Sequence, residues 1–108
     1  MSTVVTRFKV ARVRSPAHLE RLRSLRCCVR HCRRQPIHAH HVRIGAGVGM
    51  KPDDTQCVNV CWWHHEQGHR IGWRTFEALH GLDLTAIASW HAFLSWKLGL
   101  FTPVEKSG

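Results

Sequence analysis

Cysteine and histidine occur in this chain as close pairs of the kind that ligate metal ions. Cys28 and Cys32 have three residues between them, and Cys61 and His64 have two. Two such pairs supply the four ligands of a closed tetrahedral Zn²⁺ site. On a helix, the side chains of Cys61 and His64 lie about 60° apart around the axis, so both can reach one ion. We therefore predict a structural zinc ion held by Cys28, Cys32, Cys61 and His64.

Neighbouring residues compete for the first pair of ligands. Cys27 can replace Cys28 as the partner of Cys32. Alternatively, Cys28 can pair with His31, and the sequence leaves this choice open. Cys57 falls on a predicted strand, where we expect a buried thiol without a ligand role. A disulfide framework is disfavoured because the five cysteines are odd in number and are interleaved with ten histidines.

A second group of histidines has a different arrangement. His40 and His41 are adjacent on a predicted strand, so their side chains point to opposite faces and cannot easily bind the same ion. His65 and His69 are four residues apart on a predicted helix, as in helical zinc sites. Their mean direction lies about 90° around that helix from the direction of the first metal pair. One helix can thus serve two metals.

The elements that must position these ligands follow from capping and periodicity. Ser15 and Pro16 have the residue types of an N-cap and a first helical position, and Asp83 can cap a later helix. Gly81 and Gly99 are typical helix terminators. The predicted order is a short strand or extended arm over 4–13, a helix over 16–26, a knuckle-like turn over 27–36, strands over 37–44 and 57–60, and helices over 61–70, 74–80 and 84–98. A β-hairpin followed by a helix is therefore expected at the centre.

Large apolar side chains fall on two of the predicted helices. On the last helix we expect a core or dimer contact from four residues at near-helical spacing, Ile87, Trp90, Leu94 and Leu98. Trp62 and Trp63 are adjacent on the earlier helix. We expect one of these rings to pack inward while the other faces solvent or DNA.

Length and charge limit the classes of protein that fit. The 108 residues predict a single small domain and exclude a two-domain enzyme. Residues 1–34 carry the whole formal net charge of +9, because they hold ten of the sixteen Lys and Arg residues and one acid. A neutral body with a basic arm is typical of a polyanion binder, since neutralised phosphates release counterions. A basic solubilising tail is the alternative.

The chain divides into a basic N-terminal arm over 1–14, a domain over 15–100 that ends with the last helix, and a tail over 101–108. No apolar run approaches the roughly 20 residues of a membrane span. The first 13 residues mix Arg and Lys with apolar residues, unlike a signal peptide. We therefore expect a soluble, cytoplasmic protein without a membrane partner.

A resemblance to a known family rests on Cys28, Cys32, Ala39-His40-His41-Val42, Gly47, Lys51-Pro52-Asp53, Val60-Cys61, His64-His65, His69, Phe76-Glu77 and His80-Gly81. Together they resemble the HNH endonucleases, also called ββα-metal or His-Me finger nucleases. The likeness is greatest to a short, zinc-containing branch common in phages and prophages, and it covers about residues 17–82. It implies an α+β fold: a small ββα-metal core with a zinc knuckle, flanking helices and a basic N-terminal segment.

The resemblance also implies roles for individual residues. His41 falls on the general base that activates water, and Gln56 stands where many members have an asparagine that orients the base. A glutamine offers the same carbonyl acceptor. His40 and His65 fall on ligands of a catalytic divalent ion, which in this family implies Mg²⁺, Mn²⁺, Ni²⁺ or Zn²⁺. His69 falls on a third ligand or on a phosphate contact.

The chemistry of phosphodiester hydrolysis agrees with these residue types. An imidazole can take a proton from water near neutral pH, and a divalent ion can compensate the charge of the transition state. Basic side chains would hold neighbouring phosphates, and each is equally plausible as a solvated surface charge. The candidates for DNA contacts are Arg7, Lys9, Arg12, Arg14, Arg43, Lys51 and Arg70.

The sequence therefore predicts a metal-dependent HNH endonuclease that acts on DNA with weak or structure-directed specificity, unless a homodimer or a docking protein adds surface. A non-catalytic zinc module that binds nucleic acid is the alternative. A protein–protein adaptor, with the Trp-rich last helix as its interface, is a third hypothesis, although it makes no use of the basic arm. His41 distinguishes the first two, because a zinc module needs no imidazole opposite His40.

Overall fold

The computed structural model describes residues 9–10, 13–42, 53–101 and 105–106. Its elements, in chain order, are β1 (Lys9–Val10), α1 (Pro16–Arg23), β2 (Ile37–His41), β3 (Cys57–Cys61), α2 (Trp62–Ile71), α3 (Trp73–His80), α4 (Leu84–Lys97) and β4 (Glu105–Lys106). This confirms the α+β class and the predicted order of the central elements. Most of the predicted arm and the loop between β2 and β3 lie outside the described residues.

The central feature is an antiparallel hairpin of β2 and β3, followed at once by α2. Ile37 pairs with Cys61 at one end of the hairpin and His41 pairs with Cys57 at the other. β3 is buried along its whole length, because helices cover it on both sides. Side chains alternate along a strand, so His40 and His41 leave β2 on opposite faces, as predicted.

The helix α1 begins as its sequence predicts and ends earlier. The Ser15 hydroxyl accepts a hydrogen bond from the backbone N–H of His18 at 3.0 Å, and Pro16 is the first helical residue. The helix ends at Arg23, three residues before the predicted end. The backbone N–H of Cys28 donates to the carbonyl of Asn59 on β3 at 2.8 Å, so the chain must leave the helix to reach the hairpin.

The chain next to α1 is joined to the body of the protein. The backbone N–H of Asp54 donates to the carbonyl of Val13 at 3.0 Å, and Val13 is buried. Farther out, β1 pairs with β4 in a second antiparallel ribbon. Within segment 1–14, Val13 therefore contacts the domain, and β1 contacts the tail over 101–108.

The helices α2 and α3 meet at Gly72, whose φ of 91° ends the first helix and allows the chain to start the second. His64 and Gly68 form the buried side of α2. Both Trp62 and Trp63 lie on the opposite side and are exposed, so the expectation that one ring packs inward is wrong. The inward positions are already taken by His64 and Gly68.

The last helix, α4, packs through small and polar residues. Asp83 caps it, as predicted, and its buried positions are Leu84, Ala88 and Ser95. The Ser95 hydroxyl accepts a hydrogen bond from Nε of Arg21 at 2.8 Å. Small side chains let α4 approach α1 and β3 closely, and bulky rings would not fit there.

This packing overturns part of the predicted core. Trp90 and Leu98 are 57% and 64% exposed, whereas Ile87 and Leu94 are partly buried. The main buried side chains that do form the core are Leu22, Ile37, Val58, Val60, Phe76, Leu84 and Ala88. Within the described ranges, no helix combines the length and apolarity that a bilayer crossing would require.

The close contact between Gly68 and Trp73 gives a test of this packing. A Cβ added at Gly68 would overlap the Trp73 ring. We expect Gly68→Ala to lower the free energy of unfolding by about 1–3 kcal/mol through overpacking, although alanine normally stabilises a helix interior relative to glycine. Chemical denaturation monitored by circular dichroism measures the change.

The control is the Gly68→Ala substitution in a protein that lacks the Trp73 ring. In a Trp73→Ala background the overlap is gone, so Gly68→Ala should stabilise the protein there by up to about 1 kcal/mol. The same sign in both backgrounds would contradict the contact.

Candidate metal centres and the cleft beside them

A cluster of three cysteines and one histidine lies between the knuckle, β3 and α2. Nδ1 of His64 lies 3.6 Å from Sγ of Cys27, 3.5 Å from Sγ of Cys32 and 3.3 Å from Sγ of Cys61. The sulfurs of Cys32 and Cys61 are 3.8 Å apart. These four residues therefore could hold a metal ion such as zinc.

The spacing of these atoms fits a tetrahedral ion. Metal–sulfur bonds of about 2.3 Å place the sulfurs of a tetrahedral site about 3.8 Å apart. The measured sulfur separation is 3.8 Å. The surroundings also suit a closed structural site, because Cys27, Cys61 and His64 are almost fully buried.

One of the predicted ligands is corrected by the structure: Cys27, and not Cys28, belongs to the cluster. Cys27 is buried, whereas Cys28 is partly exposed and held to β3 by its backbone hydrogen bond to Asn59. Cys57, at the far end of β3, is buried and outside the cluster.

Two thiols of the cluster, those of Cys27 and Cys61, are protonated in the absence of a cation. Burial raises the pKa of Cys61 to about 11, and the neighbouring Cys28 thiol together with burial raises the pKa of Cys27. A bound cation would reverse this preference by stabilising the thiolates. Metal binding must then release protons, so metal affinity increases with pH.

A second group of metal-ligating side chains lies on the other side of α2. Nε2 of His65 is 3.2 Å from Nδ1 of His40 on β2 and 3.2 Å from Nε2 of His69. The three residues could hold a metal ion. Three protein ligands leave coordination positions open, which distinguishes this group from the four-ligand cluster.

Neighbouring rings hold this histidine triad in place. Nδ1 of His38 lies 2.8 Å from Nδ1 of His65, and the ring of Trp73 stacks on His40 with centroids 4.2 Å apart. Burial lowers the pKa of His40 to about 4 and also lowers that of His65. Both rings are therefore neutral at pH 7, the form that ligates a metal.

His41 faces away from the triad and contacts a buried acid. Its Nε2 lies 3.1 Å from Oδ1 of Asp54. Burial opposes ionisation of Asp54, but hydrogen bonds from the Ser15 backbone N–H and from His41 lower the pKa of Asp54 below its ordinary value. Since an ionised carboxylate only accepts hydrogen bonds, Nε2 of His41 carries the proton in this contact, and in a neutral imidazole the other nitrogen, Nδ1, is then the acceptor.

The predicted partner of His41 was Gln56, and the structure places Gln56 elsewhere. Its side-chain carbonyl accepts a hydrogen bond from the backbone N–H of Asp53 at 2.9 Å, which caps a 3₁₀ turn over Asp54–Gln56. Asp54 was missed by the sequence reasoning. The pairing of the two strands could have predicted this contact. In an antiparallel hairpin the residues just before β3 lie next to the end of β2, where His41 is.

The histidine triad and His41 border one cleft of about 940 Å³. Its lining includes His40 and His69 of the triad, His41, and residues from α3 and the start of α4. Arg74 is the one Arg or Lys among the lining residues that the structure describes, and it is exposed. The cleft therefore combines two candidate metal ligands and the His41 imidazole with one cation and two acids, Glu77 and Asp83.

The predicted DNA contacts are only partly within the described residues. Arg70 is exposed on α2, and Arg14 is half exposed with its guanidinium 3.9 Å from Asp54. Arg7, Arg12, Arg43 and Lys51, and the side chain of Lys9, lie outside that part of the chain.

Basic residues that sequence reasoning left unassigned surround the knuckle. The guanidinium of Arg34 lies over the Trp63 ring, 4.6 Å from its centroid. Arg30 and Arg33 are also exposed there. This surface is suited to a polyanion.

Comparisons with known proteins give no match, so a functional assignment rests on the geometry of the site. No family model matches the chain, and neither does any curated protein or solved structure. The function is therefore inferred from the cleft and from the two metal-ligating groups.

The adjacent pair Cys27 and Cys28 provides a matched test of the cluster. Cys27→Ala removes a ligand and should abolish tight binding of one metal ion per chain, with loss of the fold, because a structural metal contributes folding free energy directly. Cys28→Ala removes an equally large thiol beside it and should retain both metal and fold. Elemental analysis and thermal melting measure these effects; metal loss in Cys28→Ala alone would reverse the assignment.

His38 should strengthen metal binding by the triad without being a ligand. When Nε2 of His65 ligates a metal, its Nδ1 carries the proton and donates to His38. We expect His38→Ala to weaken Co²⁺ binding by about 10- to 100-fold, measured calorimetrically on protein whose cysteine cluster is already loaded. His31→Asn, in the exposed knuckle, is the control. Unchanged affinity in His38→Ala would exclude this role.

Proposed function

We propose that this protein is a metal-dependent DNA endonuclease of the HNH type, with a structural Zn²⁺ on Cys27, Cys32, Cys61 and His64. One observation carries the proposal. His40 and His69 of the triad line the same cleft as His41, which is held by Asp54, and His40 and His41 leave opposite faces of one strand. Hydrolysis of a phosphodiester needs a proton acceptor and charge compensation on either side of one phosphorus.

His41 acts as the general base in this proposal. The Asp54 carboxylate accepts a hydrogen bond from Nε2–H of His41 and thereby fixes the tautomer, as in other carboxylate–histidine pairs. Nδ1 of His41 takes a proton from a water molecule as the water oxygen bonds to phosphorus. The bond between phosphorus and the leaving oxygen then breaks with its electron pair going to that oxygen, which takes a proton from solvent water, and the imidazolium of His41 returns its proton to solvent.

His40, His65 and His69 hold the catalytic divalent ion. When bound, such an ion supplies Lewis-acid stabilisation of the negative charge that develops on the phosphate. His38 and Trp73 keep the ligands oriented. Arg74, at the mouth of the cleft, would bind a phosphate beside the one that is cleaved.

A zinc-stabilised module that binds nucleic acid without cleaving it is the second candidate. The exposed arginines of the knuckle and the Arg34–Trp63 contact favour nucleic-acid binding and suit both functions equally. The non-catalytic candidate gives no role to the cleft or to the buried carboxylate on His41. These two features favour the endonuclease.

Digestion of supercoiled plasmid tests the proposal. With Mg²⁺, Mn²⁺ or Ni²⁺ present, the wild type should convert the plasmid to nicked or linear forms, and EDTA should stop it. His41→Ala should retain the fold, the structural metal and DNA binding, and lose about 10²- to 10⁴-fold in rate, the usual contribution of general-base catalysis.

Two further variants separate the base from the ligands. His65→Ala should also lose cleavage, but excess Mn²⁺ should restore part of it, whereas no metal should restore His41→Ala. His31→Asn, in the knuckle, should cleave like the wild type. Full activity of His41→Ala, after a mock purification excludes contaminating nuclease, would favour the non-catalytic module.

A further inference from the structure

The outer face of α4 carries a row of large apolar side chains that nothing in the described structure covers. Trp90, Phe93 and Trp96 are 57%, 47% and 47% exposed. The rings of Trp90 and Phe93 are stacked with centroids 5.9 Å apart, and those of Phe93 and Trp96 are 6.2 Å apart. They form one continuous surface, which we call the aromatic ridge. Contiguous apolar surface of this kind marks an interaction site.

Residues at the two ends of α4 share this face with the ridge. Asp83, Trp90 and Lys97 are seven residues apart, so two helical turns bring each onto nearly the same side of the helix. Ala86 and Ser89 lie on this side in the first half of the helix and are exposed. Along the helix the face therefore presents an acid, then small residues, then large rings, and finally a base.

We infer that this face binds the same face of a second copy, with the two helices antiparallel and the twofold axis beside Trp90. Antiparallel pairing places Lys97 of the partner subunit beside Asp83, and it does so twice by symmetry. With the axis beside Trp90, Phe93 lies level with the partner's Ile87, next to the small and exposed Ala86 of the partner subunit. The two Trp90 rings lie against each other at the axis, so charge is complementary along the face and size is complementary only at Phe93.

In the alternative, parallel orientation, each residue of the face would lie opposite the same residue of the partner. Parallel helices would place the two Lys97 side chains together and the two Asp83 side chains together, and ring would face ring along the ridge. Neither Asp83 nor Lys97 forms an ion pair within the described ranges. Oδ1 of Asp83 accepts the backbone N–H of Ala86 at 3.1 Å, and Nζ of Lys97 lies over the Trp96 ring, 5.9 Å from its centroid. A carboxylate oxygen of Asp83 and the ammonium of Lys97 can still pair across a dimer.

The length of the helix limits the strength of this dimer. Fourteen residues extend about 21 Å, and one such helix from each copy buries less than the roughly 800 Å² per partner of a standard stable interface. We expect a reversible dimer with a dissociation constant in the micromolar range. Asp83, Leu84 and Thr85 also line the cleft, so Lys97 of the partner subunit would lie at its rim.

Sedimentation equilibrium of the full, metal-loaded chain over a series of micromolar concentrations tests the inference. The wild type should pass from one copy to two and no further. Trp90→Glu places a charge at the centre of the ridge and should keep the protein monomeric, while its circular dichroism stays unchanged because this side chain is exposed. Leu79→Glu is the matched control, since Leu79 is 61% exposed on α3, and it should dimerise like the wild type.

The direction in which Lys97→Gln changes the dissociation constant distinguishes antiparallel from parallel pairing. Lys97→Gln removes an attraction in the antiparallel dimer and should raise the dissociation constant by about 2- to 30-fold. In a parallel dimer the same change removes a repulsion and would lower it. A wild type that stays monomeric, assemblies larger than two copies, or a dimer unaffected by Trp90→Glu would overturn the inference. None of these outcomes depends on cleavage activity.

Discussion

The sulfur of Cys61 lies where the hairpin, α2 and the knuckle meet. Cys61 is the last residue of β3 and the N-cap of α2, and its Sγ accepts the backbone N–H of His64 at 3.4 Å. The same sulfur is 3.8 Å from Cys32. A single side chain thus fixes the angle at which α2 leaves the sheet. Both candidate metal sites depend on that angle, because α2 carries His64 of one group and His65 and His69 of the other.

Consecutive residues on α2 are directed to different centres. His64 turns into the buried cysteine cluster, and His65 turns toward His40 on β2. A step of about 100° per residue accounts for this division. The buried cluster offers four side chains to an ion, whereas the triad at the cleft offers three and leaves a coordination position open. One helix can therefore contribute to two candidate metal sites without the sites competing for the same side chain.

The cleft depends on close packing behind it. Gly68 leaves room for the Trp73 ring, which in turn stacks on His40. On the opposite face of β2, the buried carboxylate of Asp54 holds His41 and also accepts the backbone N–H of Ser15. The proposed base is thus tied to the start of α1, and the proposed ligands are tied to α3. Movement of either helix would change the distance between them.

Several features were predictable from the sequence, because each depends on local periodicity or on a neighbouring residue. These are the order of elements, the caps of α1 and α4, the opposite faces of His40 and His41, and the pairing of His65 with His69. Contacts between distant segments were not predictable. The choice of Cys27 over Cys28, the Asp54 partner of His41 and the exposure of Trp90 were decided by tertiary structure. In each case the outcome depends on a segment that is distant in the sequence. β3 binds the backbone of Cys28, and the turn before β3 brings Asp54 to His41. Arg21 on α1 donates a hydrogen bond to Ser95, so the aromatic side of α4 faces outward.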